Sequence, residues 1–431
     1  MSGWLCLAVA AAVAALVAVA LCSIARRARR ASAEYERRLS PVERLWLVAD
    51  RLHGPFVNQL VLEGEGTLDP DIWRAAVAAA AVANPGARLV LRGHLTASRL
   101  RATVTPPPIR VVNGAAWDGR CEAGAPFMET PLAPRTGPTV EVLLVEGTPP
   151  RVIVRTHHAV MDGRGTLSFV EDLFRALNGA PPIGATSPLT DVALARSLQA
   201  ARAERRIEDC LAPTGRAVTT ETRGTRWRRV TVPGKHSRLL PRVALAVAEQ
   251  ARLQAGEDGA DGRVRFDLPV DLRPRAPGLR STANLTGMLH LEVPPEATAL
   301  EIAQKIETMR RDGLETAFGP GLGVLRALPL GLMARVGRAA IARVHRRGRY
   351  LASGVLSNIG RLPLEQFRGG GFRATAGFFV PPGVESTPLF LALTGSKTEV
   401  QLVATMPRPL ADSGRLEELL AAIAGKLAEG H

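Results

Sequence analysis

Apolar and polar positions follow several distinct rhythms along this chain. From Met1 to Ala25 no side chain is charged, and Trp4 to Ile24 is almost wholly Ala, Val and Leu. At a helical rise of about 1.5 Å, those 21 residues reach roughly 31 Å, the hydrocarbon thickness of a bilayer. Arg26, Arg27, Arg29 and Arg30 follow at once. A cleaved signal peptide needs positive charge before the apolar run, and a lipoprotein site fits Val19-Ala20-Leu21-Cys22 poorly. The expectation is one retained transmembrane helix over residues 1–30 with its basic flank, and the body of the chain on the cytoplasmic side of the cell (inner) membrane. Cleavage and the opposite orientation are the alternatives.

Beyond the flank, Ala31 to Arg38 reads as a polar helical stretch, and the globular region begins near Leu39-Ser40-Pro41. Val57 to Glu63 reads as a strand, and Asp71 to Ala83 as an Ala-rich helix stopped by Asn84-Pro85-Gly86. Val140 to Val145 and Arg151 to Thr156 form a predicted hairpin around Glu146 to Pro150. Leu167, Val170, Leu173, Phe174 and Leu177 repeat at helical spacing. From Pro181 to Arg229 the chain turns polar and reads as a crossover, with a helix near Leu194 to Ile207. Helices are then predicted at Leu239–Leu253 and Ala299–Thr316. Strands are predicted at Val264–Val270, Met288–Val293, Gly354–Ser357, Phe378–Val380, Leu389–Leu393 and Val400–Ala404, with Ser413 capping a last helix. Strands and helices in mixed order predict an α+β protein with mixed sheets. The expected lobes are residues 31–185 and 230–431, joined by a linker over 186–229.

Composition narrows this picture. The 431 residues are 46% hydrophobic, 22% charged and 4% aromatic, which excludes a disordered or collagen-like chain. Cys6, Cys22, Cys121 and Cys210 show no CxxC spacing, which argues against a disulfide framework or a structural zinc site. A net charge of +15 fits nucleic acid in principle, but no recognition module or aromatic series accompanies it, so no nucleic-acid partner is expected. Gly319 to Arg349 concentrates seven of the arginines among Leu, Val and Met. That stretch suits an anionic lipid surface, an acidic carrier protein, or simply a core helix with a solvated basic face.

The chemistry concentrates in Thr156-His157-His158-Ala159-Val160-Met161-Asp162-Gly163, at a strand end before a helix. One imidazole there can take a proton from a hydroxyl or amine attacking a carbonyl. His157 and Asp162 suit supporting roles, and Gly163 permits a tight bend or a close backbone approach. A buried histidine pair beside an ordinary turn aspartate is the plain structural alternative. A metal is not expected, because adjacent strand histidines point to opposite faces and no third ligand follows at useful spacing.

HHAVMDG is similar to the HHxxxDG signature of the chloramphenicol-acetyltransferase-like acyltransferases, which include condensation domains, wax-ester synthases and plant acyltransferases. Leu39-Ser40-Pro41 with Asn84 to Leu89, Pro269 to Pro274 with Asn284 and Gly287, and Gly354 to Gly360 also resemble family segments in order. The resemblance implies two such lobes around a central tunnel. It implies His158 as the base for a hydroxyl or amine acceptor, with direct attack on an acyl thioester carried by CoA or by a carrier protein. Nothing in it implies a bound cofactor. It further implies an Asp162–Arg273 ion pair. Ser357 and Asn358 are candidates for tunnel lining or oxyanion contact, or for a strand end satisfying its own backbone.

Subfamily motifs are missing: Ser237-Arg238 and Pro138-Thr139-Val140 stand where wax-ester synthases carry Asn-Asp and Pro-Leu-Trp, and the plant Asp-Phe-Gly-Trp-Gly is absent. The expectation is a stand-alone, membrane-anchored acyltransferase with a lipid-like acceptor. A carrier-dependent condensation enzyme of natural-product biosynthesis and an inactive membrane scaffold are the alternatives.

Overall fold

The computed structural model describes residues 35–198, 206–219, 223–256 and 262–429. The expected anchor over residues 1–30 lies outside them. Among the described residues no helix is long and apolar enough to cross a membrane.

The chain enters as a short strand, β1 (Glu36–Arg38), where a polar helix was expected to continue. Its N–H and C=O groups pair with a neighbouring strand instead of within a turn. Helix α1 (Pro41–Leu52) starts at a capping box: Ser40 Oγ accepts the Glu43 N–H, and Glu43 returns to the Ser40 N–H. Strand β2 (Val57–Gly66) follows, then α2 (Pro70–Ala83), capped by Asp69 with Pro70 at its first position. Next come β3 (Leu89–Arg92), β4 (Arg99–Ala102), β5 (Ile109–Asn113) and the hairpin β6 (Val140–Glu146) and β7 (Arg151–His157). Helix α3 (Gly163–Leu177) packs its apolar face back on the sheet, and α4 (Asp191–Ser197) ends before the expected helix to Ile207 would.

Strand β8 (Thr225–Pro233) occupies the end of the expected crossover. Its polarity misleads because its arginines are paired: Arg228 and Arg229 meet Glu122 and Glu63 of the first half, and Arg226 meets Asp412 beyond β15. Helix α5 (Leu239–Ala255), β9 (Arg265–Asp271) and β10 (Thr286–Glu292) lie close to their predicted positions. Helix α6 (Ala299–Arg311) stops short of Thr316, because Gly313 at φ +69° turns the chain left-handed. After α7 (Leu330–Arg347) come β11 (Gly354–Arg361), β12 (Arg368–Gly369), β13 (Phe372–Val380), β14 (Phe390–Gly395) and β15 (Glu399–Pro407). The last helix, α8 (Arg415–Ala428), is preceded by Gly414, and Ser413 makes no capping bond to it.

Two six-stranded sheets result, in the orders β12-β13-β2-β7-β6-β5 and β10-β9-β11-β14-β15-β8, beside a small β1-β4-β3 sheet. Both large sheets are mixed, with β5 parallel to β6 and β11 parallel to β9 and β14. Strand β13, expected with the second half, instead pairs antiparallel with β2 from Phe372–Gly66 to Val380–Gln59. Residues 368–380 therefore complete the first sheet, and a cut at residue 230 does not separate the two sheets. Burial explains the preference: Phe378, Phe379 and Val380 leave water against Val61 and Val403 or the α3 core.

Candidate active site

His157 ends β7, and His158 is the first residue beyond it, so their side chains diverge. His157 is fully buried. Its Nδ1 accepts the Ala159 N–H at 3.1 Å, which places the proton on Nε2, 3.6 Å from Asp50 Oδ2. Burial alone would raise the Asp50 carboxyl, but His157, the Phe56 N–H and Arg51 outweigh it and hold it below the usual range. His157 thus braces the turn.

His158 is partly exposed, its ring forming a three-ring cluster with Trp46 at 5.0 Å and Phe56 at 5.4 Å, which are themselves 5.4 Å apart between centroids. Asn284 holds it from β10's approach: Oδ1 is 3.1 Å from His158 Nδ1, while Nδ2 donates to His158 O at 2.8 Å and Glu43 Oε1 at 3.1 Å. Both of those partners only accept, so the Asn284 amide has one workable orientation. Its oxygen must then receive a proton from Nδ1, and the lone pair of the neutral ring sits on Nε2. Burial lowers the His158 pKa below its ordinary value, which keeps the ring neutral near pH 7. Glu43 is itself fixed by Arg37, 2.8 Å away, and by the Ser40 N–H. Helix α1 therefore presents Glu43, Trp46 and Asp50 at i, i+3 and i+7 along one face, serving both histidines.

Asp162 caps α3 and faces away from this ring system. Its Oδ1 accepts the Gly165 N–H at 2.7 Å, and its Oδ2 accepts the Leu285 N–H at 2.8 Å and Thr286 Oγ1 at 3.0 Å. Arg273 meets it through two nitrogens at 3.0 and 3.2 Å, and also donates to Asp271, Ser281 O and Ala283 O. Burial opposes ionisation of Asp162, but Arg273 and the two backbone N–H groups more than offset it, so its carboxyl lies below the usual range. The close backbone approach expected at Gly163 occurs two residues on. A Cβ at Gly165 would overlap the Thr282 carbonyl oxygen, whereas at Gly163 the nearest atom is Ile359 Cδ1 at 3.5 Å.

The fold is similar to that of solved structures. The first condensation domain of the calcium-dependent antibiotic synthetase, solved with a substrate analogue, matches with a TM-score of 0.61 at 16% identity, over 92% of this chain and 96% of that one. A variant of the starter condensation domain of rhizomide synthetase, in complex with C8-CoA, matches with 0.59 at 16% identity, over 91% and 95%. This chain has the fold of these condensation domains. The epimerization domain from the third module of tyrocidine synthetase B shares it, with 0.52 at 16% identity, over 92% and 98%. No family model and no curated protein sequence matches the chain.

Within this condensation-domain fold, Ser357 and Asn358 lie on β11, and neither hydrogen-bonds His158. Asn358 Oδ1 accepts the Gly360 N–H at 3.0 Å, closing the strand's own irregularity. A cleft of about 340 Å³ opens between the sheets, lined among others by His53, Val57, Met128, Trp227, Val380 and Arg408. Val57 is the sheet partner of His157, but His158 does not line this space, unlike the expected tunnel centred on it. Phe56 and Trp46 close around the imidazole instead. Among the described residues no group of three or more metal-binding side chains converges.

Sequence reading missed Glu43, Trp46, Asp50 and Phe56, and left Asn284 without a role. The S-x-x-E spacing of Ser40 to Glu43 marks the capping box, but nothing local links it to His158.

Proposed function

We propose that this chain is an acyltransferase carrying an acyl group from a thioester to a hydroxyl or amine, with His158 as general base. The observation that carries this reading is the 3.1 Å contact of Asn284 Oδ1 with His158 Nδ1, which leaves the Nε2 lone pair free on a ring whose pKa burial lowers. Nε2 removes the acceptor's proton as its oxygen or nitrogen attacks the thioester carbonyl. The C–S bond then breaks, and the imidazolium returns the proton to the departing thiolate. No covalent acyl-enzyme is required. Asp162 and Arg273 act as positioning residues, joining the motif turn to the 271–286 segment.

The donor is acyl-CoA in this reading, supported by the CoA-bound starter domain of the same fold. An acyl-carrier protein donor is the second reading, resting on the resemblance carried by the HHAVMDG motif. A lipid-like acceptor at the inner membrane rests on the uncharged Trp4–Ile24 stretch and its basic flank alone. The test is thiol release from a panel of acyl-CoAs with membrane lipid extract, comparing wild type with His158→Ala. Acceptor-dependent release that the variant lacks supports the proposal. Release only from carrier-bound donors moves the assignment to a condensation enzyme, and none from either leaves an inactive scaffold.

A further inference from the structure

The arginine-rich stretch is not used by the chemistry above, and its placement has a separate consequence. From Gly319 to Arg349 there is no acidic residue, and the segment folds as a 3₁₀ turn (Pro320–Ala327) followed by α7. At 3.6 residues per turn, Leu332, Arg335, Val336, Ala339, Ala340, Arg343, Arg346 and Arg347 occupy one arc of about 140°. All eight are exposed, with Leu332 at 49% and Val336 at 62%. The opposite arc, with Ala334, Val344 and His345, is buried against the protein. Arg343 has a distant carboxylate, Glu208 at 3.7 Å, but Arg335, Arg346 and Arg347 meet none among the described residues. Val324, 64% exposed, adds a third open aliphatic side chain on the preceding turn.

Two features say what covers this face. Aliphatic side chains interleaved with unpaired arginines match the acyl and phosphate layers of an anionic bilayer together. The second is position. Arg326 donates to Thr96 O at 3.2 Å, and Arg44 donates to Leu325 O, Leu328 O and Leu95 O, so the turn sits on the Leu95–Ala97 corner. Arg99, just past that corner, pairs with Arg38 of β1. The chain arriving from Trp4–Ile24 and its four arginines enters the described fold at Tyr35, three strand residues or roughly 10 Å away.

We propose that the outward arc of α7, with Val324, docks on an anionic lipid surface. This inference does not rest on the acyltransferase reading, since docking is read without turnover. The experiment places photoreactive benzoylphenylalanine at position 332 or 336 of the full chain, reconstituted in phosphatidylcholine vesicles with or without phosphatidylglycerol. Leu253, 64% exposed on α5, is the control position. Phospholipid adducts should form at 332 and 336 at least about fivefold above 253, and only with the anionic lipid, each arginine near such a surface contributing roughly fivefold. Arg335→Gln, Arg346→Gln and Arg347→Gln together should lower the docked-to-undocked ratio about 100-fold, with an unchanged circular dichroism melt. Equal labelling at all three positions, or labelling indifferent to lipid charge, overturns the proposal. So does a transfer of the adduct from lipid to an added acidic carrier protein.

Discussion

Replacing Asn284 by Ala removes the group that decides which nitrogen of His158 carries the proton. Three hydrogen bonds disappear: His158 Nδ1 at 3.1 Å, His158 O at 2.8 Å and Glu43 Oε1 at 3.1 Å. Glu43 keeps Arg37 and the Ser40 N–H, so its carboxylate stays paired. The Nδ1–H and the His158 carbonyl lose a side-chain partner in a partly buried place, at about 1–3 kcal/mol each, so stability should fall by about 2–6 kcal/mol. The loss at Nδ1 alone, about 1–3 kcal/mol applied to orientation of the base, lowers the rate of thiol release roughly 5- to 150-fold. The direct assay is ¹⁵N NMR of the histidine rings at pH 7, with His158 assigned by its absence in His158→Gln. Wild type should show a protonated Nδ1 and a bare Nε2, and Asn284→Ala a mixture. Asn284→Asp keeps an acceptor but sets a carboxylate against Glu43, so the ring should gain a proton and the acid limb of the rate profile should move to higher pH. A wild-type ring protonated on Nε2, or an unchanged tautomer in Asn284→Ala, would refute the assignment of His158 as a prepared base.

Other consequences are separable. Arg273→Met should cost about 3–5 kcal/mol in urea unfolding, because it leaves buried Asp162 with only the Gly165 and Leu285 N–H groups and the Thr286 hydroxyl. Asp191, almost wholly buried beside Glu43, has a carboxyl pushed up to about 7, chiefly by burial and then by Glu43. An acid raised in the folded state binds its proton more tightly there, so its cost to stability grows as pH rises from about 4 to 7. Asp191→Asn should therefore stabilise by up to about 4 kcal/mol at pH 8 and hardly at all at pH 3.5, read from unfolding curves at the two pH values. His158 has the opposite slope in origin: a base with a lowered pKa destabilises the fold as pH drops below about 6.5, and His158→Gln should flatten that limb. Gly165→Ala should disrupt folding through its overlap with Thr282 O, while Gly163→Ala should leave the melting temperature nearly unchanged.

The motif was legible because it is short and contiguous, and so were the elements around it. The β6–β7 hairpin, α2 up to Asn84, and α3 through Leu167 to Leu177 appear where periodicity and the Asn84-Pro85-Gly86 stop put them. Those signals are local: hydrogen bonds within a turn, a proline at a helix start, apolar residues three and four apart. Strand β8 escaped notice for the converse reason, since its arginines look solvated until Glu63, Glu122 and Asp412 stand opposite them.

The sequence by itself determined most helices and strands, the position of the histidine pair between them, and the family resemblance that paired Asp162 with Arg273. Only the tertiary structure decided that β13 joins β2, that Asn284 grips a histidine 126 residues earlier, and that it reaches Glu43 from 241 residues away. Such contacts depend on which buried surfaces fit together and which polar groups must find partners once water is gone, and no window of a few residues carries that information.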